Sequence, residues 1–246
     1  MAQENPLEQF TINRLIPIHV GGVDVSFTNS ALMMTIAGVA ITLLMVAASR
    51  RRALVPGRLQ SMSELLYELI AKMIDDNVGR EGMRYFPFIF TLFMFILVGN
   101  LLGMVPYTFT FTSHIIVTFA MALFVFVGVT LIGIFRHGFH ILRLFVPRGV
   151  PLGLLPVLVP IEVLSYFIRP MTLSIRLFAN MMAGHTMLAI FAGFVAPLGA
   201  FYFVPGLLPI AIDIALVLLE LLVAVLQAYV FAILTTLYLN DALHLH

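Results

Sequence analysis

Uninterrupted apolar segments dominate the chain, and charged residues separate them at a few places. Three such segments, 18 to 21 residues long, lie at 31–48, 85–105 and 115–135. A helix of about 20 apolar residues crosses the hydrocarbon core of a bilayer, and a helix also pairs its own backbone polar groups inside lipid. The pattern therefore predicts three transmembrane helices over these segments.

Two further apolar segments, at 152–196 and 206–240, are longer than one straight crossing needs. Their 45 and 35 residues would form helices of about 67 Å and about 52 Å, against about 30 Å of hydrocarbon. Each is therefore either two spans or one long, strongly tilted helix. We favour the tilted helix, because Pro170 is the one turn signal within the first segment and a proline can kink a membrane helix without ending it. A loop is expected between the two segments, at 197–205.

The segment at 58–80 has a different character, with one apolar and one charged helical face. The apolar face comprises Met62, Leu65, Leu66, Leu69, Ile70, Met73 and Ile74. Ser61, followed three residues later by Glu64, predicts a capping box at the helix start. We interpret the segment as an amphipathic helix on the membrane surface. A soluble connector helix is the alternative, although its apolar face would then need another partner.

Composition agrees with a membrane protein, since 61% of the 246 residues are hydrophobic and 10% are charged, well beyond the usage of soluble domains. The expected fold is an all-α polytopic membrane protein with about five transmembrane helices and one amphipathic surface helix. One membrane domain covers 1–246, with a polar arm at 1–28 on the outer side and a tilted hairpin at 152–240. The arm lacks an early apolar core, which argues against a cleavable signal peptide. The absence of cysteine excludes disulfides and thiolate metal sites.

The basic residues are distributed unevenly among the loops. Seven of the thirteen lie between Arg50 and Arg84, and three lie between Arg136 and Arg148. An even number of spans separates these two regions, and the stretches at 106–114 and 197–205 contain no basic residue. The positive-inside rule therefore places both basic regions in the cytoplasm and the N-terminus outside.

Ionisable residues within the apolar segments cost about 2.5–3.5 kcal/mol each even on the most permissive scale, so each is a functional candidate. Glu162, Arg169 and Arg176 are spaced by seven residues, and with Asn180 they fall within about 40° of one line along a helix. His185 lies nine residues beyond Arg176, on nearly the opposite side of an ideal helix. These positions predict two polar zones at different depths.

The last apolar segment has a polar stripe of its own. Asp213, Glu220 and Gln227 are again seven residues apart, and Tyr238 follows eleven residues later. Polar stripes on apolar helices face each other, a partner or a water path rather than lipid.

These polar residues also have purely structural interpretations, which the sequence leaves open. Glu162 and Arg169 could form an ion pair near the headgroups, and Asp213 could be an acid at the membrane interface. Gln227 could make a hydrogen bond between helices. Arg176 could form a buried ion pair with Glu220 or Asp213.

Other candidate motifs are weak. Lys72 follows no glycine-rich loop, so no nucleotide phosphate site is predicted. His137 and His140 lack a third metal ligand nearby. Gly99 and Gly103 have the spacing that lets two helices approach closely. The arginines beside the spans favour lipid headgroups over nucleic acid, and we expect no cofactor, no metal and no nucleic-acid partner.

Three motifs together resemble subunit a of the rotary F-type ATP synthase. They are "GNLLGMVPYTFT" at 99–110, "SIRLFANMMAGH" at 174–185 and "LLELLVAVLQAYVFAILTTLYLND" at 218–241. Bacterial members often have an acid where His185 stands and a histidine where Glu220 stands. The exchanged order here is similar to the mitochondrial and alphaproteobacterial form and keeps one imidazole and one carboxylate. Some relatives have an aspartate where this chain has Gly103, so the resemblance gives Gly103 no role.

The resemblance implies a non-catalytic, proton-conducting stator subunit of the ATP synthase membrane sector. Its implied partners are a rotating ring of c subunits, peripheral-stalk b-type subunits, the rest of the ATP synthase and the lipid bilayer. A bacterial inner membrane is favoured over a mitochondrial one, with the C-terminus in the cytoplasm. Arg176 matches the essential arginine. The outer half-channel is assigned Asn180, His185, Asp213, Glu220 and Gln227, and the cytoplasmic half-channel is assigned Glu162, Ser165 and Arg169.

These assignments give a mechanistic hypothesis. A proton would pass Asp213, His185 and Glu220 to a ring carboxylate and leave near Glu162, while Arg176, which cannot release its proton, blocks direct leakage. A secondary transporter that binds an anionic solute at Arg176 is one alternative, but it predicts internal repeats that the sequence does not display. A structural assembly subunit is the other.

Overall fold

The computed structural model describes residues 11–17, 19–20, 23–24, 26–50, 56–105, 108–138, 153–201 and 203–244. For residues 20, 23–24, 194–201 and 203–209 the description covers the backbone alone. His140, the start of the polar arm and two arginines of the second basic region, Arg143 and Arg148, lie outside the described residues.

Six α-helices account for most of the described chain. They are α1 Asn29–Arg50, α2 Arg58–Val78, α3 Phe86–Gly103, α4 Ile115–His137, α5 Leu155–Phe201 and α6 Phe203–Leu243. Short 3-10 turns at Gly82–Tyr85 and Phe111–Ser113 precede α3 and α4. Five stretches are long and apolar enough to cross a membrane, in α1, α3, α4, α5 and α6. The predicted class, an all-α polytopic membrane protein with five spans, is therefore confirmed.

Helix α5 is one continuous helix of 47 residues, as the sequence favoured. Pro170 lies in its interior and is buried. Side-chain hydroxyls bond to backbone carbonyls in the next turn, where Thr172 donates to the Arg169 carbonyl at 3.0 Å and Ser174 donates to the Met171 carbonyl at 3.1 Å. Pro170 has no N–H to donate to the Tyr166 carbonyl one turn earlier, and these two hydroxyl bonds go to other carbonyls.

The prediction of a loop over 197–205 was wrong, because the helices extend through most of this stretch. Helix α5 continues to Phe201 and α6 begins at Phe203, so residue 202 alone separates the two helices and lies outside the described residues. Pro205 did not mark a loop because it occupies the first turn of α6, where a backbone N–H has no helical partner to lose.

Helix α2 begins three residues before the predicted capping box. Its N-cap is Gly57, and the Ser61 N–H already donates to the Gly57 carbonyl at 2.8 Å. Ser61 is therefore inside the helix, and the capping-box prediction was wrong. The C-terminal half of the apolar face is buried at Ile70, Met73, Ile74 and Val78, whereas Leu59, Met62 and Leu65 are exposed.

The N-terminal arm contains four short strands that the sequence did not predict. Strand β1 Arg14–Ile16 pairs antiparallel with β4 Phe27–Thr28, and β2 His19–Val20 pairs antiparallel with β3 Val23–Asp24. The Asn29 side chain accepts a hydrogen bond from the Asn13 N–H at 3.2 Å. Strands of two or three residues are too short to display an alternating pattern.

The chain forms two compact units. The first unit comprises Met1–Ala47, Met94–Ile115 and Leu177–Ala228, and the second comprises Ala48–Phe93, Ile116–Arg176 and Tyr229–His246. Within the first, the buried core includes Phe111, Leu177, Met181 and Ala224. Within the second, it includes Ile74, Ile89, Phe93, Val125 and Phe231. Each unit contains one cluster of polar side chains.

Candidate functional site

The polar cluster of the first unit is built around His185 of α5 and Glu220 of α6. The His185 Nδ1 atom lies 3.4 Å from Glu220 Oε1, and the two side chains are 11% and 4% exposed. The two side chains form an ion pair when the imidazole is protonated, although neither Glu220 carboxyl oxygen accepts a hydrogen bond from the described residues. We call His185 and Glu220 the relay pair.

Thr110, which precedes the 3-10 turn before α4, contacts the other side of the imidazole. Its Oγ1 atom lies 3.1 Å from His185 Nε2, and its hydroxyl donates to the Gly103 carbonyl at 3.1 Å. Thr110 is buried. The His185 ring is therefore held between a hydroxyl on one nitrogen and a carboxyl on the other.

Gly184 allows the Glu220 carboxyl to approach α5 closely. A Cβ atom at position 184 would lie 2.8 Å from Glu220 Oε1 and 3.0 Å from its Cδ, which is closer than packed atoms approach. Gly184 was not predicted as a site residue, although its place directly before His185 in the quoted motif was the available signal.

Gly99 and Gly103 also allow close packing, but against side chains of a loop segment and not against a second helix. A Cβ at Gly99 would overlap the Phe111 ring, and a Cβ at Gly103 would lie 2.6 Å from Thr110 Oγ1. Within the first unit both glycines therefore accept side chains from the segment that leads into α4.

Other predicted polar residues of the first unit lie near the relay pair in sequence but form no described contact with it. Gln227 is buried. Asp213 lines a surface cavity of about 280 Å³ with Ile210, Ile214, Val217 and Leu218. The Asp213 Oδ1 atom is buried and has no hydrogen-bond partner among the described residues. Asn100, which the sequence analysis did not select, is fully buried and donates to the Ala224 carbonyl at 3.2 Å.

The polar cluster of the second unit is built around Arg169 of α5. Its Nη1 atom lies 2.8 Å from Asp241 Oδ2, and its Nη2 atom lies 4.0 Å from Glu162 Oε1. The three side chains are 27%, 32% and 36% exposed. We call Arg169, Glu162 and Asp241 the arginine cluster. Asp241 was not selected from the sequence as a site residue, because it stands at the end of the last apolar segment.

Two tyrosine rings complete the arginine cluster. The Arg169 guanidinium carbon lies 5.3 Å from the Tyr238 ring centroid and 5.7 Å from that of Tyr166, within the range of cation–π attraction. The Tyr166 hydroxyl is 2.6 Å from Thr130 Oγ1 of α4, which fixes the ring. The Glu162–Arg169 pair proposed from the sequence as a structural alternative therefore exists, as part of a larger group.

Three predicted site residues of α5 lie exposed on its surface, namely Ser165, Arg176 and Asn180. Thr172, Ala179 and Ala183, which are small, are exposed on the same stretch of helix. Among the described residues, no ion pair involves the Arg176 guanidinium. The buried ion pair that the sequence left open for Arg176 is thus not formed with any described residue.

Metal ligation finds no support in the described part of the chain, where no three histidine or acidic side chains are grouped as a metal site requires. His137, considered above as a ligand, has its Nε2 atom 3.1 Å from the Leu243 carbonyl. Its described contact is therefore with the end of α6.

Known proteins that share one description match this chain over almost its whole length. The family model described as ATP synthase A chain matches residues 31–240. A protein of Paramagnetospirillum magneticum called ATP synthase subunit a is 58% identical over 245 residues, covering 98% of this chain and 99% of that protein. Proteins with the same description from Rhodospirillum rubrum and Pelagibacter ubique are each 55% identical to this chain and match 98% of it. The match covers 99% of the Rhodospirillum rubrum protein and 98% of the Pelagibacter ubique protein.

Proposed function

Because the chain belongs to the ATP synthase A chain family, we propose that the relay pair carries protons to a partner carboxylate that meets Arg176. The chain itself is the non-catalytic, proton-translocating stator subunit, and its alphaproteobacterial relatives agree with the form that the sequence resembled. The family gives no support to the alternative of a secondary transporter.

The single observation that carries this proposal is the buried relay pair. An imidazole takes up and releases protons near neutral pH, and a carboxyl beside it exchanges a proton with it once the two atoms close to hydrogen-bond distance. His185 Nδ1 and Glu220 Oε1 are 3.4 Å apart and almost out of contact with solvent. Burying two ionisable groups away from a permanent charge is costly, so a role in proton transfer explains why they are present.

Asp213, Asn180 and Gln227 extend the supply path on the outer side. The Asp213 carboxyl lies in a surface cavity seven residues before Glu220, or about 10.5 Å along the helix. Its unpartnered buried oxygen is a natural place for water, which would bridge the remaining distance.

The exposed Arg176 is the charge that meets the partner. A guanidinium stays protonated at physiological pH, so an exposed arginine within a membrane helix requires an anion from another molecule. We assign that anion to the carboxylate of a rotating c subunit. The small residues Thr172, Ala179 and Ala183 around Arg176 leave room for a second helix to approach.

The arginine cluster lies on the release path, with Ser165 on the same helix. Arg169 attracts the carboxylates of Glu162 and Asp241, and the partial exposure of all three lets water reach them. Water that reaches these carboxylates takes up the proton that leaves the c subunit. We place this path on the cytoplasmic side of a bacterial inner membrane, with the N-terminus outside, the C-terminus inside and a b-type stalk subunit as a further partner.

Passive proton flux through the membrane sector tests the proposal. In vesicles that carry the assembled sector without its catalytic head, we expect Glu220→Gln to reduce the flux about a hundredfold, as losing a general acid–base group does. Thr186→Ala is the matched control, since the bond that its hydroxyl forms in the described part of the chain is within α5, to the Met182 carbonyl at 2.7 Å. Wild-type flux in an assembled Glu220→Gln sector would exclude the relay pair from the path and favour a structural subunit.

A further inference from the structure

We propose that Thr110 is a positioning residue that fixes the tautomer of His185, so that the exchangeable proton lies between Nδ1 and Glu220. This inference rests on the proposed proton path through the relay pair. It assigns to the segment before α4 a task in proton transfer that its resemblance to known motifs did not provide.

The hydroxyl hydrogen of Thr110 is already used. Gly103 is the last residue of α3, and the final carbonyls of a helix have no partner within it. The Thr110 hydroxyl donates to the Gly103 carbonyl at 3.1 Å, and Thr108 similarly donates to the carbonyls of Leu102 and Val105. The two threonines therefore cap the end of α3.

A hydroxyl that donates to one carbonyl offers only its lone pairs to other groups. Thr110 Oγ1 lies 3.1 Å from His185 Nε2, so Nε2 must carry a hydrogen to make this contact favourable. In the neutral imidazole the other nitrogen, Nδ1, is then the bare one. Nδ1 is the nitrogen that lies 3.4 Å from Glu220 Oε1.

The consequence is that Nδ1 is the one ring atom of His185 that exchanges a proton with Glu220. With Nε2–H fixed on Thr110, a proton on Glu220 has a lone pair to enter at Nδ1, and a doubly protonated ring returns a proton through Nδ1 alone. In the opposite tautomer, Nδ1–H would face Glu220 and the neutral ring could not accept a proton from it. Gly103 is required for this arrangement, because any side chain at position 103 would overlap the Thr110 hydroxyl.

Three variants separate hydroxyl chemistry from packing. Thr110→Val keeps the shape but removes the hydroxyl, and Thr110→Ser keeps the hydroxyl. Thr112→Val is the matched control. Thr112 is two residues away and fully buried, and its Oγ1 has no hydrogen-bond partner among the described residues. Each is measured by passive proton flux through the assembled membrane sector in vesicles, with assembly checked by co-purification.

We expect Thr110→Val to lower the flux about five- to tenfold, as the loss of one ordinary hydrogen bond would. Thr110→Ser should stay within about twofold of wild type, and Thr112→Val should match wild type. Equal loss in Thr110→Ser and Thr110→Val, or no loss in Thr110→Val, would overturn the proposal.

A spectroscopic signature tests the tautomer directly. In the assembled sector labelled with 15N-histidine, the His185 signals are identified by their absence in His185→Gln. We expect a protonated Nε2 and a bare Nδ1 in the neutral ring, and a mixture of tautomers in Thr110→Val. A neutral ring with Nδ1–H in the wild type would overturn the proposal. This measurement does not depend on whether Thr110→Val assembles. Full proton flux in His185→Gln would contradict the proposed proton path through the relay pair. Reduced flux in His185→Gln together with mixed tautomers in the wild type would contradict only the role of Thr110.

Discussion

The relay pair and the arginine cluster are two groups of acidic and basic side chains with opposite character. The relay pair is almost completely buried and contains no permanent charge. The arginine cluster contains a guanidinium that is always charged, two carboxylates and side chains that are about one third exposed. The first group consists of two titratable side chains shielded from water, whereas the second group holds two carboxylates beside a permanent cation and within reach of water.

This difference explains why the same helix carries both groups. In our proposal the first group passes a proton on, because a lasting charge in its buried surroundings would be costly. The second group is proposed to lie on the release path, where water reaches its carboxylates. Variants that disturb one of the two groups and spare the other test whether the groups differ in this way.

The largest effect is expected from Arg176, whose exposed charge belongs to neither group. Arg176→Ala leaves the relay pair and the arginine cluster intact but removes the cation that we propose meets a c-subunit carboxylate. ATP-driven acidification of vesicles should fall at least about a hundredfold, the cost of leaving an anion without its partner. Arg176→Lys should also fail, because an amine lacks the planar fork and can lose its proton in a low-dielectric site. Normal acidification by either variant would remove Arg176 from the mechanism.

Gly184→Ala disturbs the relay pair alone. The added methyl would lie 2.8 Å from Glu220 Oε1, so the carboxyl must shift from its present place beside His185. The shift of a flexible side-chain end costs little stability, but it changes the geometry of proton exchange, and we expect passive proton flux to fall about tenfold. Gly193→Ala on the same helix is the control, since its Cβ would meet nothing within 4 Å. Equal flux in the two variants would contradict the close approach at Gly184.

Asp241→Asn disturbs the arginine cluster alone, and its effect should be smaller. The Arg169–Asp241 pair is partly exposed, and such pairs contribute about 1 kcal/mol or less. We expect passive flux to fall about two- to threefold, and raising the salt concentration to narrow the difference from wild type. Arg136→Gln, which breaks the exposed pair with Glu81, serves as the control. A loss as large as that of Glu220→Gln would mean that the two groups do not differ as described.

The smallest effect is expected from His114, which stacks on Phe109 with ring centroids 4.9 Å apart. Burial lowers the pKa of His114 below its ordinary value of 6.5. The folded first unit therefore favours the neutral ring, and this contribution to stability is present above pH 6.5 and is lost as the pH falls below it. Between about pH 7.5 and about pH 5.5, we expect the Tm of wild type to fall more than that of His114→Phe, by on the order of 1 °C. An equal fall would contradict a buried neutral His114.

The lengths of the apolar segments predicted the spans, and one continuous α5 was favoured over two spans because Pro170 was the one turn signal within the segment. The relay pair could be named from motif resemblance, since His185 and Glu220 stand in two quoted motifs. The contacts of Gly184 and Thr110 could not be predicted, because they depend on how α5, α6 and the end of α3 meet in space. Asp241 was missed for the same reason, since its partner Arg169 is 72 residues away in sequence.

Exchange of the relay pair tests the central claim most directly. His185→Glu alone leaves two acids, and Glu220→His alone leaves two imidazoles, whereas the double exchange restores one of each. If the two residues act as one proton-passing unit, the effects are not additive, and passive flux in the double variant should exceed that of either single variant by about fivefold or more. A double variant no better than the worse single variant would contradict the claim, because the two residues would then act independently.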